Sequence, residues 1–149
     1  MHAKHYGLLG LMGVLHFAAM YVLMYAMVNT FGDVLPNLNQ LYMAALMTAP
    51  MLGLEVLLMS SMYPMRAVNA AIVAGSVALL VGAFLMIRQQ TAIGDAEFLR
   101  SMVPHHSGAI LMCREAKLRD PDIRELCRGI VAGQQREIDW MTARLERMD

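Results

Sequence analysis

This chain lacks net charge: 12 basic and 12 acidic residues cancel. Where charges do occur in number, the two signs are interspersed. No basic stripe forms, and nucleic acid is excluded as a partner. Charge of either sign is scarce in the first half, where Asp33, Glu55 and Arg66 stand alone between Tyr6 and Ile87. The chain has no glycine-rich phosphate loop, no nucleophile set beside a base and no closed Cys/His zinc pattern. It also lacks the period-two alternation of a β-barrel. Cysteine is reduced to two residues, Cys113 and Cys127. These absences speak against an enzyme and leave an all-α chain in two parts.

Long apolar runs are what the first part has instead. Residues 6–28, 41–62 and 67–87 each meet the roughly 20 residues that a bilayer demands. The first run is too long for a cleaved signal peptide and has no small-x-small site after it. The expected division is a three-span membrane domain, 1–90, and a soluble domain, 91–149; from Arg88 to Asp149 the sequence carries ten basic and ten acidic residues. Lys4 and Arg66 flank the spans on one side, and the loop 29–40 carries Asp33 and no basic residue. By the positive-inside bias the amino terminus is cytoplasmic and the tail lies outside, although Arg88 sits on the wrong side. Gly7, Gly10 and Gly13 in the first span, and Ala74, Ala78 and Gly82 in the third, offer small-residue ridges for helix packing in lipid. Pro50 is expected to kink the second span.

The tail reads as a helical hairpin. Asp95 is a helix start, and a first helix over about 96–118 puts Phe98, Met102, Ala109, Met112 and Ala116 on its apolar face. Pro104 would free the Arg100 carbonyl and kink the helix just before two histidines. Asp120-Pro121 is a second start, an N-cap followed by proline at the first helical position. The second helix runs to about 148, with Ile123, Leu126, Ile130, Gln134, Ile138, Met141 and Leu145 inward. A turn near Asp120 sets His106 opposite Gln134 and Cys113 opposite Cys127.

Within the first tail helix, Met102-Val103-Pro104-His105-His106 and Met112 set imidazoles between thioethers. Soft and borderline metals such as copper choose such ligands, and calcium and magnesium do not. A lone histidine on an apolar face is ordinarily packed or capping. Adjacent histidines differ by about 100° around the helix axis, so both cannot face the core equally.

From Asp95 to Met148 the sequence resembles the bacterial family called domain of unknown function 305. Its pattern is Phe-x-x-x-Met-x-Pro-His-His-x-x-Ala-Ile-x-Met, a turn, and Ile-x-x-x-Gln-x-x-Glu-Ile-x-x-Met. Phe98, Met102, Pro104, His105, His106, Ala109, Ile110 and Met112 match the first half. Ile130 or Val131, Gln135, Glu137, Ile138 and Met141 match the second, with the first of these one register step off. The resemblance implies a ferritin-like helical bundle, often built from two hairpins, that binds copper; the mixed thioether–imidazole set points to Cu(I) more than Cu(II). The resemblance also implies Met102, His105, His106, Met112 and Met141 as ligands, with Gln135 and Glu137 auxiliary.

This chain has a single hairpin, which points to a homodimer or higher oligomer. Leu99, Ile110, Val131 and Leu145 would be its uncovered flank. The two cysteines also depart from the family pattern. Small buried residues, a disulfide in an oxidising compartment and thiolate ligands are the three readings they allow.

The spans carry a stripe of their own: Met12, His16, Met20, Met24 and Met27 in the first, and Met43, Met47, Met51, Glu55, Met59 and Met62 in the second. Methionine stripes in membrane helices are ordinarily adaptable packing. An ionisable group at that depth is costly and marks a functional candidate. A soft-metal path along His16, Met20, Met24, Met47, Met51 and Glu55 is one reading; His16 paired with Glu55 is the other.

The function expected is non-enzymatic copper handling or homeostasis at the outer face of a bacterial inner membrane. A purely structural module that dimerises through the hairpin competes with it. So does a metal-dependent redox enzyme, although the Glu-x-x-His pair of di-iron bundles is missing.

Overall fold

The computed structural model describes residues 2–148. Among them are five α-helices and no strand: α1 (His2–Leu23), α2 (Leu38–Leu58), α3 (Arg66–Gln89), α4 (Asp95–Glu115) and α5 (Pro121–Leu145). Two 3₁₀ turns, Met24–Met27 and Phe31–Asp33, lie between α1 and α2. Segments Lys4–Met27, Leu38–Leu58 and Arg66–Gln89 are long and apolar enough to cross a membrane. The chain divides into two compact units, Met1–Met24 with Asn39–Thr91, and Tyr25–Leu38 with Ala92–Asp149. The loop after the first span therefore belongs with the tail, not with the membrane part as its position in the sequence suggests.

In the first unit the helices meet where side chains are smallest. A Cβ on Gly53 would lie 3.3 Å from the Ser76 side chain, and one on Gly13 would lie 3.0 Å from Leu52. Leu9, Val56 and Tyr63 form the buried cluster. The Tyr6 hydroxyl donates to Asn69 at 2.7 Å, and the Asn69 amide donates to the Tyr63 carbonyl at 2.7 Å. The ridge of Ala74, Ala78 and Gly82 is not buried within the chain: both alanines are exposed and a Cβ on Gly82 would meet open space. The buried face of α3 carries Ser76 and Ala83 instead. Pro50 sits inside α2 without ending it. Helix α3 stops at Gln90, whose left-handed φ of 50° turns the chain so that Thr91 N–H bonds back to Met86 at 3.0 Å.

In the second unit α4 and α5 form the hairpin. Asp120 caps α5 by accepting from the N–H groups of Asp122 (2.9 Å) and Ile123 (3.1 Å), with Pro121 at the first position. At the start of α4 the cap is Gly94. Asp95 is the first helical residue, where its charge complements the helix dipole.

The core is Leu99, Val103 and Ile110 from α4 with Ile138, Met141 and Leu145 from α5. This corrects the expected inner face of α4, since Phe98, Met112 and Ala116 are exposed. The working face lies one residue, about 100°, around the helix. On α5 the turn end is open, with Ile123 and Leu126 exposed. The expected uncovered flank is corrected too: Leu99, Ile110 and Leu145 are buried, and Val131 packs against them.

Segment 25–38 explains that burial. Leu35 packs on the hairpin core, and Met27 O would stand 3.4 Å from a Cβ on Gly108. The buried Ser107 hydroxyl accepts from Asn29 N–H at 2.7 Å and donates to the Asp33 carboxylate. The N–H of Leu38 donates to Glu97 at 2.9 Å. Pro104 leaves α4 unbroken, and the Arg100 carbonyl it deprives of a helical partner lies 3.5 Å from the Asn37 amide. Replacing Ser107 by alanine strands a backbone donor and a carboxylate. The expected cost is about 1–3 kcal/mol, read as faster amide hydrogen exchange across residues 25–38; unchanged protection there would show the hydroxyl to be dispensable.

Candidate metal site

The α4 face that packs on α5 carries residues 99, 103, 106 and 110, so the helix turns His106 inward and His105 outward. His106 is buried and His105 exposed, with ring centroids 6.2 Å apart. His106 Nδ1 lies 2.9 Å from the Met102 carbonyl oxygen, one turn back. Its Nε2 lies 2.6 Å from Glu137 Oε2 on α5. A carbonyl accepts only, and so does an ionised carboxylate. Either the ring donates from both nitrogens, or Glu137 carries the proton between it and Nε2. The Glu137 side chain is 60% exposed, so this pair stands at a mouth open to water. Its contribution to stability is correspondingly screened.

The partner of His106 across the hairpin is Glu137, three residues beyond the expected Gln134. Met102, His106, Glu137 and Met141 line one groove of about 360 Å³, with Phe98, Leu99, Gly133, Arg136 and Trp140 as its other walls. Met141 is buried and Met102 half-buried against the core. Two thioethers and one imidazole thus face a common space, with a carboxylate at its edge. Met112 is 54% exposed and lies outside this groove. His105 lies outside it as well. Gln135 is exposed and donates to Asp139 at 3.0 Å, one turn along its own helix. The spacing Ile130–Gln134–Glu137 keeps the family pattern better than Gln135 does. Arg136 and Trp140 join the groove without having stood out in the sequence; the lone tryptophan beside Met141 is the signal that could have found them.

Among the described residues no three His, Cys, Asp or Glu side chains gather as a metal site. The donor set in the groove is soft, and it fits Cu(I) or Ag(I) far better than calcium or magnesium.

Near the turn, Cys113 and Cys127 are joined by a disulfide, with their Cα atoms 5.3 Å apart. In the first unit His16 and Glu55 do not pair with each other. His16 Nδ1 lies 3.2 Å from the Thr48 hydroxyl. Burial, together with the negative charge of the Glu55 carboxylate, raises the Tyr63 phenol above its ordinary range. Met20, Met24 and Met51 are half-buried and Met47 is exposed.

The model of the family described as "Domain of unknown function (DUF305)" matches residues 85–145. The chain is also similar to "Uncharacterized protein L153" of Acanthamoeba polyphaga mimivirus, 34% identical over 120 residues, which cover 79% of this chain and 77% of that protein. An alignment of that length cannot fit within residues 85–145, so the likeness extends beyond the family region. No solved structure matches. With the His-His segment, the hairpin and the similarity over most of both chains in agreement, the chain belongs to the DUF305 family.

Proposed function

We propose that the chain is a membrane-anchored copper-binding protein, acting without catalysis in copper handling at the outer face of a bacterial inner membrane. The observation that carries this reading is the groove that Met102, His106, Glu137 and Met141 share. Copper is cargo here. Coordination through His106 Nε2 needs that nitrogen's lone pair, so the proton between it and Glu137 must leave. Nδ1 keeps its proton on the Met102 carbonyl, which fixes the ring orientation as an outer hydrogen bond does for metal-bound histidines. The thioethers then favour Cu(I) over Cu(II).

Two features support the location. The disulfide belongs to an oxidising compartment. Segment 25–38 follows one candidate crossing and the tail follows three, so their membership of one unit agrees with both lying on one face. In this reading two hairpins complete a ferritin-like four-helix bundle in a homodimer. The exposed Phe98 and Trp140 beside the groove favour that second contact.

The test is anaerobic titration of the full chain in detergent with Cu(I) against a chromogenic Cu(I) chelator, with Zn(II) and Ca(II) in parallel. Retention of Cu(I) and indifference to calcium are expected. Failure to hold Cu(I) against the chelator, or equal preference for Zn(II), would overturn the reading.

A further inference from the structure

We propose that Cys113 and Cys127 are a redox-gated second site for a soft monovalent metal ion, closed as the disulfide and opened by a dithiol. The two sulfurs stand on facing helices, at the end of α4 and in the second turn of α5, with Cα atoms 5.3 Å apart. Neither cysteine is fully buried, and both line an open groove of about 410 Å³. Arg124 and Arg128 stand on the walls of that groove, Arg128 shared with Glu125 at 2.9 Å. Partial exposure beside guanidinium groups is the setting of reactive cysteines; inert structural ones are buried in apolar surroundings. This groove and that of Met102, His106 and Met141 have no lining residue in common. The thiol pair is therefore a separate site, independent of the copper reading of the first.

The chemistry balances. A dithiol attacks one sulfur through its thiolate, forming a mixed disulfide and freeing the other cysteine. Its second thiol displaces the first cysteine and leaves as the oxidised cyclic disulfide. Two electrons and two protons pass to the protein, which then holds two thiols. Binding of Cu(I) or Ag(I) between the sulfurs releases two protons and makes two metal–sulfur bonds. The resulting anionic bis-thiolate unit sits beside the guanidiniums. The reverse exchange, with a cyclic disulfide as oxidant, takes two electrons from the sulfurs and two protons from water, re-forms the Cys113–Cys127 bond, yields the dithiol and releases the metal ion, because a disulfide has no thiolate to offer. Metal capacity then follows the redox state of the compartment.

The experiment compares the full chain in detergent, as isolated and after reduction with dithiothreitol removed anaerobically. Thiol content is counted, helicity is checked by circular dichroism, and both forms are titrated with Cu(I) and with Ag(I) against a chelator. The reduced form is expected to bind one further ion per chain, with thiolate-to-Cu(I) charge-transfer absorption in the ultraviolet. Cys113→Ser/Cys127→Ser should keep the capacity of the oxidised form under both conditions. Reduced Met102→Ala/His106→Ala should keep the thiol-dependent ion, so that failure of the first site is told apart from failure of this one. Equal capacity in the oxidised and reduced forms overturns the proposal. A bond that resists dithiol in the native chain, or loss of helical signal on reduction, shows a structural staple only and also overturns it.

Discussion

Replacing His106 by alanine is expected to lower Cu(I) affinity more than about 100-fold, beyond the roughly 10–100-fold that an outer supporting group contributes. His106 is the one imidazole in the groove with Met102 and Met141, and its ring is held from both nitrogens. Glu137→Gln keeps shape but loses the negative charge beside Nε2, and belongs in the roughly 10–100-fold range. His105→Ala and Met112→Ala remove exposed groups outside the groove and should change affinity by less than about threefold. Competition titration with the chromogenic chelator, run on all four variants, reads these differences. A loss in His105→Ala equal to that in His106→Ala would sink the assignment of the inward histidine as the ligand.

Ile110→Ala should destabilise the hairpin by about 2–5 kcal/mol, through lost transfer energy and the cavity left behind. Ile110 is 0% exposed and shares a cluster with Leu99, Val103, Ile138, Met141 and Leu145. Segment 25–38 is tied to the next turn back, at Ser107, so the site is hemmed in and has little room to collapse. Met112→Ala, two residues on but exposed, should cost less than about 0.5 kcal/mol. Hydrogen exchange of α4 and α5 amides in detergent measures both. A cost for Ile110→Ala below about 1 kcal/mol would mean that the hairpin core lies elsewhere.

The candidate site is half legible in the sequence. The residue types are plain, because thioethers and imidazoles crowd into residues 102–112 and Met141 returns from the facing helix. Their selection is not. Two apolar series interleave on α4: Phe98, Met102 and Met112 on one, and Leu99, Val103 and Ile110 on the other. Both satisfy helical spacing, so periodicity alone does not decide between them. Gln135 enters as an auxiliary group only through a one-step slip in aligning α5, and such a slip turns a side chain about 100° away. The partner of His106 moves for its own reason, from Gln134 to Glu137, nearly one turn along α5.

Composition and spacing by themselves determined the all-helical class, three helices long enough to cross a membrane, and the hairpin turned by Asp120 and Pro121. These are local matters: run length, a capping carboxylate and a fixed φ act within a few residues of chain. Tertiary structure decided which histidine turns inward, where the proline-orphaned Arg100 carbonyl goes, and what covers Ile110. All three depend on how α4 is packed, against α5 on one side and against residues 25–38 on another, the latter some 70 positions earlier in the chain. No local pattern reports a contact at that separation. The burial of Ser107 and Gly108, small residues beside the histidines, records on which side that segment lies.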